Sequence, residues 1–232
     1  MESKTIIITG GNKGIGRETT RRLIDLGHRV IVIARDFTEF EGCGHPNVRC
    51  VEFDLSRIGE IPSLIEDIGP VDVLINNAGV MYSIPYDRYP DEKVASMLRL
   101  NLEVPIKLIE AVAAKMLPKG GRIVNNASIA GQIGHPDLWY GITKAGLINA
   151  TKSFAKIFEG KIIINAVAPS PVETDMLQTI PIERREAFLK NVTAKRFAYA
   201  DEVAKTMVWL ALESPEYING TCIDINSASY LR

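Results

Sequence analysis

Tyr140 and Lys144 are the residues of this sequence best suited to acid–base chemistry, and they stand four positions apart. On a helix, side chains at this spacing share one face, with Cβ atoms about 5–6 Å apart. A free tyrosine phenol has a pKa of about 10, and a neighbouring ammonium lowers that pKa because it stabilises the phenolate. We therefore expect Lys144 to bring the pKa of Tyr140 toward the working pH, where proton transfer is most efficient. By themselves, the two residues would also fit a solvated amphipathic face.

A glycine-rich segment, TGGNKGIG, occupies residues 9–16 between an apolar run and the start of a predicted helix. Glycines let the backbone turn tightly and approach a phosphate, and a helix N-terminus presents unpaired N–H groups to an anion. In a first strand–helix unit this combination is typical of a dinucleotide site, although a plain strand-to-helix turn would also use glycine. The expected cofactor-binding residues of this loop are Gly10, Asn12, Lys13, Gly14, Ile15 and Gly16.

The residues after the second and third apolar runs bear on which dinucleotide binds. Arg35 follows the second run, where an acidic residue would bind the ribose 2′-hydroxyl of NAD(H) and an arginine accommodates the 2′-phosphate of NADP(H). Lys13 adds a second positive charge, so the pair favours NADP(H) over NAD(H). Both could instead be solvated surface cations, and Asp36 is a neighbouring opposite charge. Asp54 and Leu55 end the third run, where Asp54 either contacts the adenine edge or caps a turn.

These groups need a framework that brings distant segments together, and the hydrophobic pattern predicts one. Short runs rich in Ile and Val alternate with longer amphipathic stretches, and most runs are apolar at consecutive positions. Such runs are typical of strands that are buried on both faces of a parallel sheet. We predict an α/β fold with a doubly wound (Rossmann) parallel sheet of seven strands, helices on both faces, and one domain over residues 1–232. The longest predicted helices are 92–116 and 138–158.

Several short motifs then follow one another in a recognisable order. They are TGxxxGIG at 9–16, NNAG at 76–79, Asn101, Ser128, YxxxK at 140–144 and NAVAP at 165–169. With these motifs in this order and spacing, the chain resembles the short-chain dehydrogenase/reductase superfamily, in its compact single-domain branch, over essentially its whole length. Within that superfamily, the layout is most similar to 3-oxoacyl carrier-protein reductases.

The resemblance implies a role for each matching residue. Tyr140 is then the catalytic acid/base, Lys144 its partner, Ser128 the hydroxyl that orients the substrate, and Asn101 the anchor of a proton-relay water. In carbonyl reduction the cofactor provides the hydride, Tyr140 provides the proton, and Ser128 adds a hydrogen bond to the developing oxyanion. Without the resemblance, Ser128 could simply cap a turn and Asn101 could bond within its helix. The other implied cofactor positions are Asn77, Ala78, Gly79, Pro169, Val172 and Thr174, beside Tyr140 and Lys144 themselves.

We expect an oxidoreductase that transfers a hydride between NADP(H) and a carbonyl or secondary alcohol on an apolar small molecule, with a 3-oxoacyl thioester or another ketone foremost. An apolar pocket under a loop at 174–195 is expected from Met81, Ile129, Ile133, Trp139, Met176, Leu177 and Ile180. Two alternatives stay open: an NAD-dependent alcohol dehydrogenase, and a dinucleotide-binding regulator without turnover. Helices 92–116 and 138–158 match the pair that forms subunit interfaces in similar proteins, which implies a homodimer or homotetramer.

Composition removes several other classes from consideration. The formal net charge of −1 gives no reason to expect nucleic acid or an anionic membrane as a partner. No apolar run approaches the roughly 20 residues of a membrane span, and the first run is too short for a signal peptide, so a cytoplasmic protein is expected. The three histidines show no metal-like spacing, and Cys43, Cys50 and Cys222 do not suggest a disulfide framework or a zinc site.

Overall fold

The sheet at the centre of the molecule confirms the predicted fold class. The computed structural model describes residues 2–231. The strands are β1 Thr5–Thr9, β2 Arg29–Ala34, β3 Val48–Glu52, β4 Val73–Asn76, β5 Gly121–Asn126, β6 Ile162–Pro169 and β7 Cys222–Ile225. They pair in the order β3-β2-β1-β4-β5-β6-β7, and every pairing is parallel. The order reverses between β1 and β4, which is where doubly wound sheets bind their ligands.

Helices cover both faces of this sheet. They are α1 Gly14–Asp25, α2 Ile61–Ile68, α3 Asp91–Leu98, α4 Val104–Met116, α5 Leu138–Ile157, α6 Ile182–Asn191 and α7 Ala200–Leu212. Helices α2, α4 and α5 pack on one face, and α1 and α7 pack on the other. Successive side chains of a strand point to opposite faces, so Ile7 joins the first layer while Ile6 and Ile8 join the second. This is why the strands are apolar at consecutive positions.

The predicted helix 92–116 is wrong as one continuous helix. A π-helical segment, Arg99–Glu103, separates α3 from α4. Pro105 lacks an N–H group and therefore cannot donate to the carbonyl of Asn101 four residues earlier, as a regular α-helix would require. The side chain of Asn101 is buried in this segment. The irregular turn is thus the feature that directs a predicted site residue inward, and π-bulges of this kind occur often at functional sites.

The cysteine expectation also needs correction. Cys43 and Cys50 form a disulfide, with their Cα atoms 5.6 Å apart. A short 3₁₀ turn, Glu41–Gly44, returns the chain after β2 toward the edge strand β3, which brings the two residues together although they are seven positions apart. Cys222 is buried, as its apolar segment suggested, and its Sγ atom lies 3.8 Å from the Nε2 atom of Gln132. Within residues 2–231, no helix combines the length and the apolar character that crossing a bilayer requires.

Candidate active site

Helix α5 carries Tyr140 and Lys144 on its inward face. Its first turn begins after Asp137, whose side chain accepts a hydrogen bond from the backbone N–H of Tyr140 at 3.2 Å. The side chain of Tyr140 is 9% exposed and that of Lys144 is 5% exposed, and the Lys144 Nζ atom lies 5.7 Å from the centre of the Tyr140 ring. The same face continues with buried Leu147. The two residues therefore do not belong to a solvated face.

Lys144 is held by a backbone carbonyl. Its Nζ atom donates a 2.7 Å hydrogen bond to the carbonyl oxygen of Asn126, at the end of β5. Burial lowers the pKa of Lys144 to about 8. A cation in this position is exposed to little water, so it is easily neutralised or directed toward a bound polar group.

The expectation that Lys144 lowers the pKa of Tyr140 is wrong for the protein by itself. Burial raises the pKa of Tyr140 to about 12; a hydrogen bond with Ser128 opposes this effect, and the charge of Asp137 adds to it. The phenol has lost its hydration, while the ammonium of Lys144 is directed at the Asn126 carbonyl. Burial therefore favours the neutral form of the phenol over the phenolate.

Ser128 has two contacts that serve different purposes. Its hydroxyl oxygen accepts a hydrogen bond from the backbone N–H of Ala130 at 3.1 Å, which starts the short turn Ile129–Gly131. The same hydroxyl lies within hydrogen-bonding reach of Tyr140, and it donates weakly to the carbonyl of Pro169 at 3.4 Å. Ser128 is therefore both a cap and a neighbour of the phenol.

Asn101 connects its helical segment to the chain that leaves β4. Its Oδ1 atom accepts from the Val80 N–H, and its Nδ2 atom donates to the Val80 carbonyl, both at 2.8 Å. The Nδ2 atom also lies 3.3 Å from the Thr143 hydroxyl on α5. Gly79 lies between these groups, because a Cβ atom on it would be 3.3 Å from Asn101 Oδ1 and 3.7 Å from Lys144 Nζ. Asn101 thus bonds across the site and not within its own helix.

The glycine loop adopts the backbone that a phosphate cradle requires. Gly10 and Gly14 have φ angles of 62° and 52°, in the left-handed region that favours glycine. Lys13 precedes α1, and no side chain of the described residues caps that helix, so its first N–H groups are available to an anion. The Nδ2 atom of Asn77 donates to the carbonyls of Thr9 and Gly10 at 3.0 and 3.1 Å, and thereby fixes the loop against β4. These features fit a dinucleotide pyrophosphate.

The cations proposed to select the dinucleotide are solvent-exposed. Arg35 and Lys13 are both exposed, and Asn12 lies near them, with its Nδ2 atom donating to the backbone carbonyl of Asp36 at 2.8 Å. Hydrogen bonds from Thr38 are the main reason that the pKa of Asp36 is lowered, and the charge of Lys13 contributes to the same shift. Arg35 after β2 and Lys13 before α1 are therefore two exposed cations, and the carboxylate of the neighbouring Asp36 is hydrogen-bonded by Thr38 within its own turn.

The remaining predicted cofactor residues lie at the carboxyl edge of the sheet, as their positions after strands predict. Asp54 accepts the Ser56 N–H at 2.9 Å, so it caps a turn, and its contact with adenine stays a prediction. A Cβ atom on Gly14 would lie 3.2 Å from the Thr174 Cγ2 atom, which places the segment after β6 beside the glycine loop. The other predicted cofactor residues also lie at this edge. Ala78 lies next to Gly10, and Pro169 ends β6. The rest are Ile15, which is partly buried, and Gly16, Leu55 and Val172, which are buried.

Part of the predicted apolar pocket assembles around the phenol. Met81 and Tyr140 belong to one buried cluster, against which Trp139, Met176 and Ile180 pack. Ile129 belongs instead to a neighbouring cluster with Phe188, Leu177 is buried, and Ile133 is 37% exposed. The groups nearest to the phenol on this side are therefore largely apolar.

Three residues of the site were not anticipated. Asp137 caps α5 and is fully buried, Asn126 supplies the carbonyl that holds Lys144, and Thr143 meets Asn101. An aspartate directly after Pro136 is a helix-start signal that could have identified the cap. The contacts of Asn126 and Thr143 join segments far apart in sequence, and no local pattern indicates them.

Comparison with known proteins agrees with this geometry. The family model described as short chain dehydrogenase matches residues 4–185, which includes the glycine loop, Asn101, Ser128, Tyr140 and Lys144. The chain belongs to the short chain dehydrogenase family. The predicted resemblance is therefore confirmed.

Individual members of this family match over nearly the full length. The 3-oxoacyl-[acyl-carrier-protein] reductase FabG of Haemophilus influenzae is 32% identical over 241 aligned residues, which cover 100% of both chains. FabG of Salmonella typhimurium is 31% identical over 244 residues, with 100% of this chain and 99% of the relative covered. A solved structure described as ElxO with NADP bound has a TM-score of 0.89 at 28% identity and covers 98% of each chain.

Proposed function

We propose that this short chain dehydrogenase reduces a ketone on an apolar substrate with NADP(H), and that Tyr140 donates the proton. The observation that carries the proposal is a buried phenol with the Nζ atom of Lys144 5.7 Å from the centre of its ring, at the sheet edge that also bears the glycine loop. The membership of the family supports an oxidoreductase acting between C=O and CH–OH groups.

The glycine loop and the other cofactor positions named above would hold NADP(H), which would supply the hydride for the carbonyl carbon. Four side chains of the protein have separate roles in the reaction. Tyr140 gives its proton to the oxygen as negative charge develops there, and Ser128 gives that oxygen a second hydrogen bond. Lys144, held by the Asn126 carbonyl, positions the cofactor ribose. Asn101 keeps the segment after β4 at the correct distance from α5.

The preference for NADP(H) rests on charge. Arg35 and Lys13 place two cations at the loop after β2 and at the start of α1, where a 2′-phosphate would lie in a doubly wound sheet. A structural neighbour described with NADP bound agrees with this preference. The proposed contacts of the cofactor are those of the glycine loop, Asn77, Gly79, Thr174 and their neighbours named above.

The substrate is proposed to be a 3-oxoacyl thioester or a ketone of similar polarity. The apolar side chains of Met81, Trp139, Met176 and Ile180 next to the phenol favour an acyl chain over a sugar. The relatives whose names specify a 3-oxoacyl substrate align over the whole chain. A homodimer or homotetramer is proposed as well, because α5 leaves Leu138, Ile142 and Ile157 exposed.

The test is oxidation of NADPH and of NADH by the purified protein against acyl thioesters, quinones, ketosteroids and small ketones. We expect turnover with NADPH, fastest with a 3-oxoacyl thioester such as acetoacetyl-CoA. A clear preference for NADH, with alcohol oxidation as the faster reaction, would show an NAD-dependent alcohol dehydrogenase instead. Tight NADPH binding without turnover of any carbonyl would show a regulator.

A further inference from the structure

One buried amide at the carboxyl edge of the sheet has an oxygen that its surroundings do not satisfy. Asn126 is the last residue of β5 and is 8% exposed. Its Oδ1 atom is buried, and no hydrogen-bond donor among residues 2–231 reaches it. A buried acceptor without a donor costs free energy, so this atom calls for an explanation.

The neighbours of Asn126 determine which of its two amide atoms is left without a partner. The Nδ2 atom of Asn77 donates to the carbonyl oxygens of Thr9 and Gly10, which an amide oxygen could not do. The Oδ1 atom of Asn77 therefore faces Asn126, and it accepts from the Nδ2 atom of Asn126 at 3.0 Å. The atom left over is consequently an oxygen, which accepts hydrogen bonds and cannot donate them.

Asn126 lies where the glycine loop and the buried lysine meet. Successive residues of a strand face opposite sides, so Asn126 shares a side with Val124, which packs in the layer of α1 and α7. Asn125 faces the other side and donates to Thr151 of α5. The backbone carbonyl of Asn126 accepts from the Lys144 Nζ atom at 2.7 Å. Asn126 thus connects through its side chain to the residue that fixes the glycine loop, and through its backbone to the lysine.

The groups next to each other here are complementary to a hydroxyl. The ammonium of Lys144 has only hydrogen atoms to donate, and the Oδ1 atom of Asn126 can only accept. A hydroxyl accepts from one partner and donates to another at the same time, whereas a pyrophosphate has no hydrogen to donate. In the function proposed above, Lys144 positions the ribose next to the nicotinamide, and that ribose carries hydroxyl groups.

We propose that Asn126 is a further cofactor-binding residue, whose Oδ1 atom accepts a hydrogen bond from a hydroxyl group of the nicotinamide ribose. The proposal rests on the function proposed above and goes further, since it assigns a binding role to a side chain outside the sequence motifs. The cofactor supplies the donor that residues 2–231 do not provide at this atom. Binding therefore removes the cost of the buried oxygen.

The decisive variant is Asn126→Leu, which has nearly the same size but no polar side-chain atom. It keeps the backbone carbonyl that holds Lys144. The affinity for NADPH, measured by fluorescence titration, should fall about three- to tenfold, which is the usual contribution of one hydrogen bond. The unfolding temperature of the cofactor-free protein should change little, because removal of the unsatisfied oxygen offsets the lost contact with Asn77.

Two fragments of the cofactor locate the contact. Adenosine 2′,5′-bisphosphate contains only the adenosine part and its phosphates, while ADP-ribose 2′-phosphate adds the second ribose without the nicotinamide. In Asn126→Leu, the affinity for ADP-ribose 2′-phosphate should fall by the same factor as that for NADPH. The affinity for adenosine 2′,5′-bisphosphate should stay unchanged. A disturbance of the glycine loop through Asn77 would instead weaken all three ligands.

A matched control tests the replacement itself. Asn149→Leu makes the same change on the exposed face of α5 and should alter none of the three affinities. If Asn126→Leu does not fold, Asn126→Val takes its place, since valine is favoured in strands. Unchanged NADPH affinity, or equal losses for all three ligands, would overturn the proposal. A loss confined to NADPH would also overturn it, because the donor would then be the amide group of the nicotinamide.

Failure of the proposed function is recognised separately, because this experiment measures binding and not turnover. A wild-type protein that binds NADPH but reduces no carbonyl would defeat the proposed function and leave the comparison of ligands valid. If the wild type binds only NADH, the comparison uses NADH, ADP-ribose and AMP with the same expected pattern, since both dinucleotides contain this ribose. A wild type that binds neither dinucleotide would overturn both proposals.

Discussion

The two functional pairs of this site are held in opposite ways. Tyr140 and Lys144 are buried on α5, where loss of hydration raises the pKa of Tyr140 and lowers the pKa of Lys144. Lys13 and Arg35 are exposed at the glycine loop and after β2. Interactions of buried groups depend on precise contacts, whereas those of exposed charges are weakened by water and salt. The buried pair should therefore govern the rate, and the exposed pair should govern the choice of cofactor.

The largest effect should come from removing the phenolic hydroxyl. Tyr140→Phe deletes the proton donor while it keeps the buried ring, so we expect kcat for NADPH-dependent reduction to fall about 10²–10⁴-fold. The affinity for NADPH, measured by fluorescence titration, should stay within a factor of two or so of the wild type, since the hydroxyl contributes little to binding. Tyr217→Phe, which alters a fully exposed tyrosine, is the matched control. Unchanged turnover in Tyr140→Phe would remove this residue from the reaction.

A smaller effect is expected at the exposed pair. Arg35→Asp replaces an attraction for the 2′-phosphate with a repulsion, and NADPH affinity should fall about tenfold, which corresponds to about 1.4 kcal/mol. NADH affinity should be kept, and the difference between the cofactors should shrink as salt is added. Arg49→Asp makes the same change on the edge strand β3 and serves as the control. Equal losses for both cofactors would mean that Arg35 does not recognise the 2′-phosphate.

The smallest effect concerns stability and distinguishes the buried lysine from a surface lysine. The lowered pKa of Lys144 means that its ammonium destabilises the folded state below pH 8, and that this cost declines as pH rises from about 8 toward the unfolded value near 10.5. Lys144→Met should thus lose activity yet raise the free energy of unfolding at pH 7 by about 1 kcal/mol. Thermal unfolding of both proteins, measured at several pH values, should show that the extra stability of Lys144→Met over the wild type disappears at alkaline pH. Lys152→Met, on the exposed face of the same helix, should show no such pH dependence. If Lys144→Met were less stable than the wild type at pH 7, burial of the ammonium would not be the cost that this prediction assumes.

The parts of the site that were predicted correctly are those encoded by local pattern. Consecutive Ile and Val residues indicated buried parallel strands, and four-residue spacing put Tyr140 and Lys144 on one face of α5. The π-helical segment at Asn101 was missed although Pro105, which interrupts the helix, is visible in the sequence. The contact of Asn101 with Val80, 21 positions away, could not be predicted from any local pattern. The disulfide of Cys43 and Cys50 was missed because it depends on a turn that returns the chain to an edge strand.

The sequence by itself determined the fold class, the family and the positions of the reactive side chains, because hydrophobic period and motif spacing are local properties of the chain. Only the tertiary structure decided the protonation of Tyr140. Its pKa depends on how much water surrounds the ring and on where the charges of Asp137 and Lys144 are directed. Those quantities arise when β4, β5 and α5 pack together, and the order of residues along one helix does not contain them.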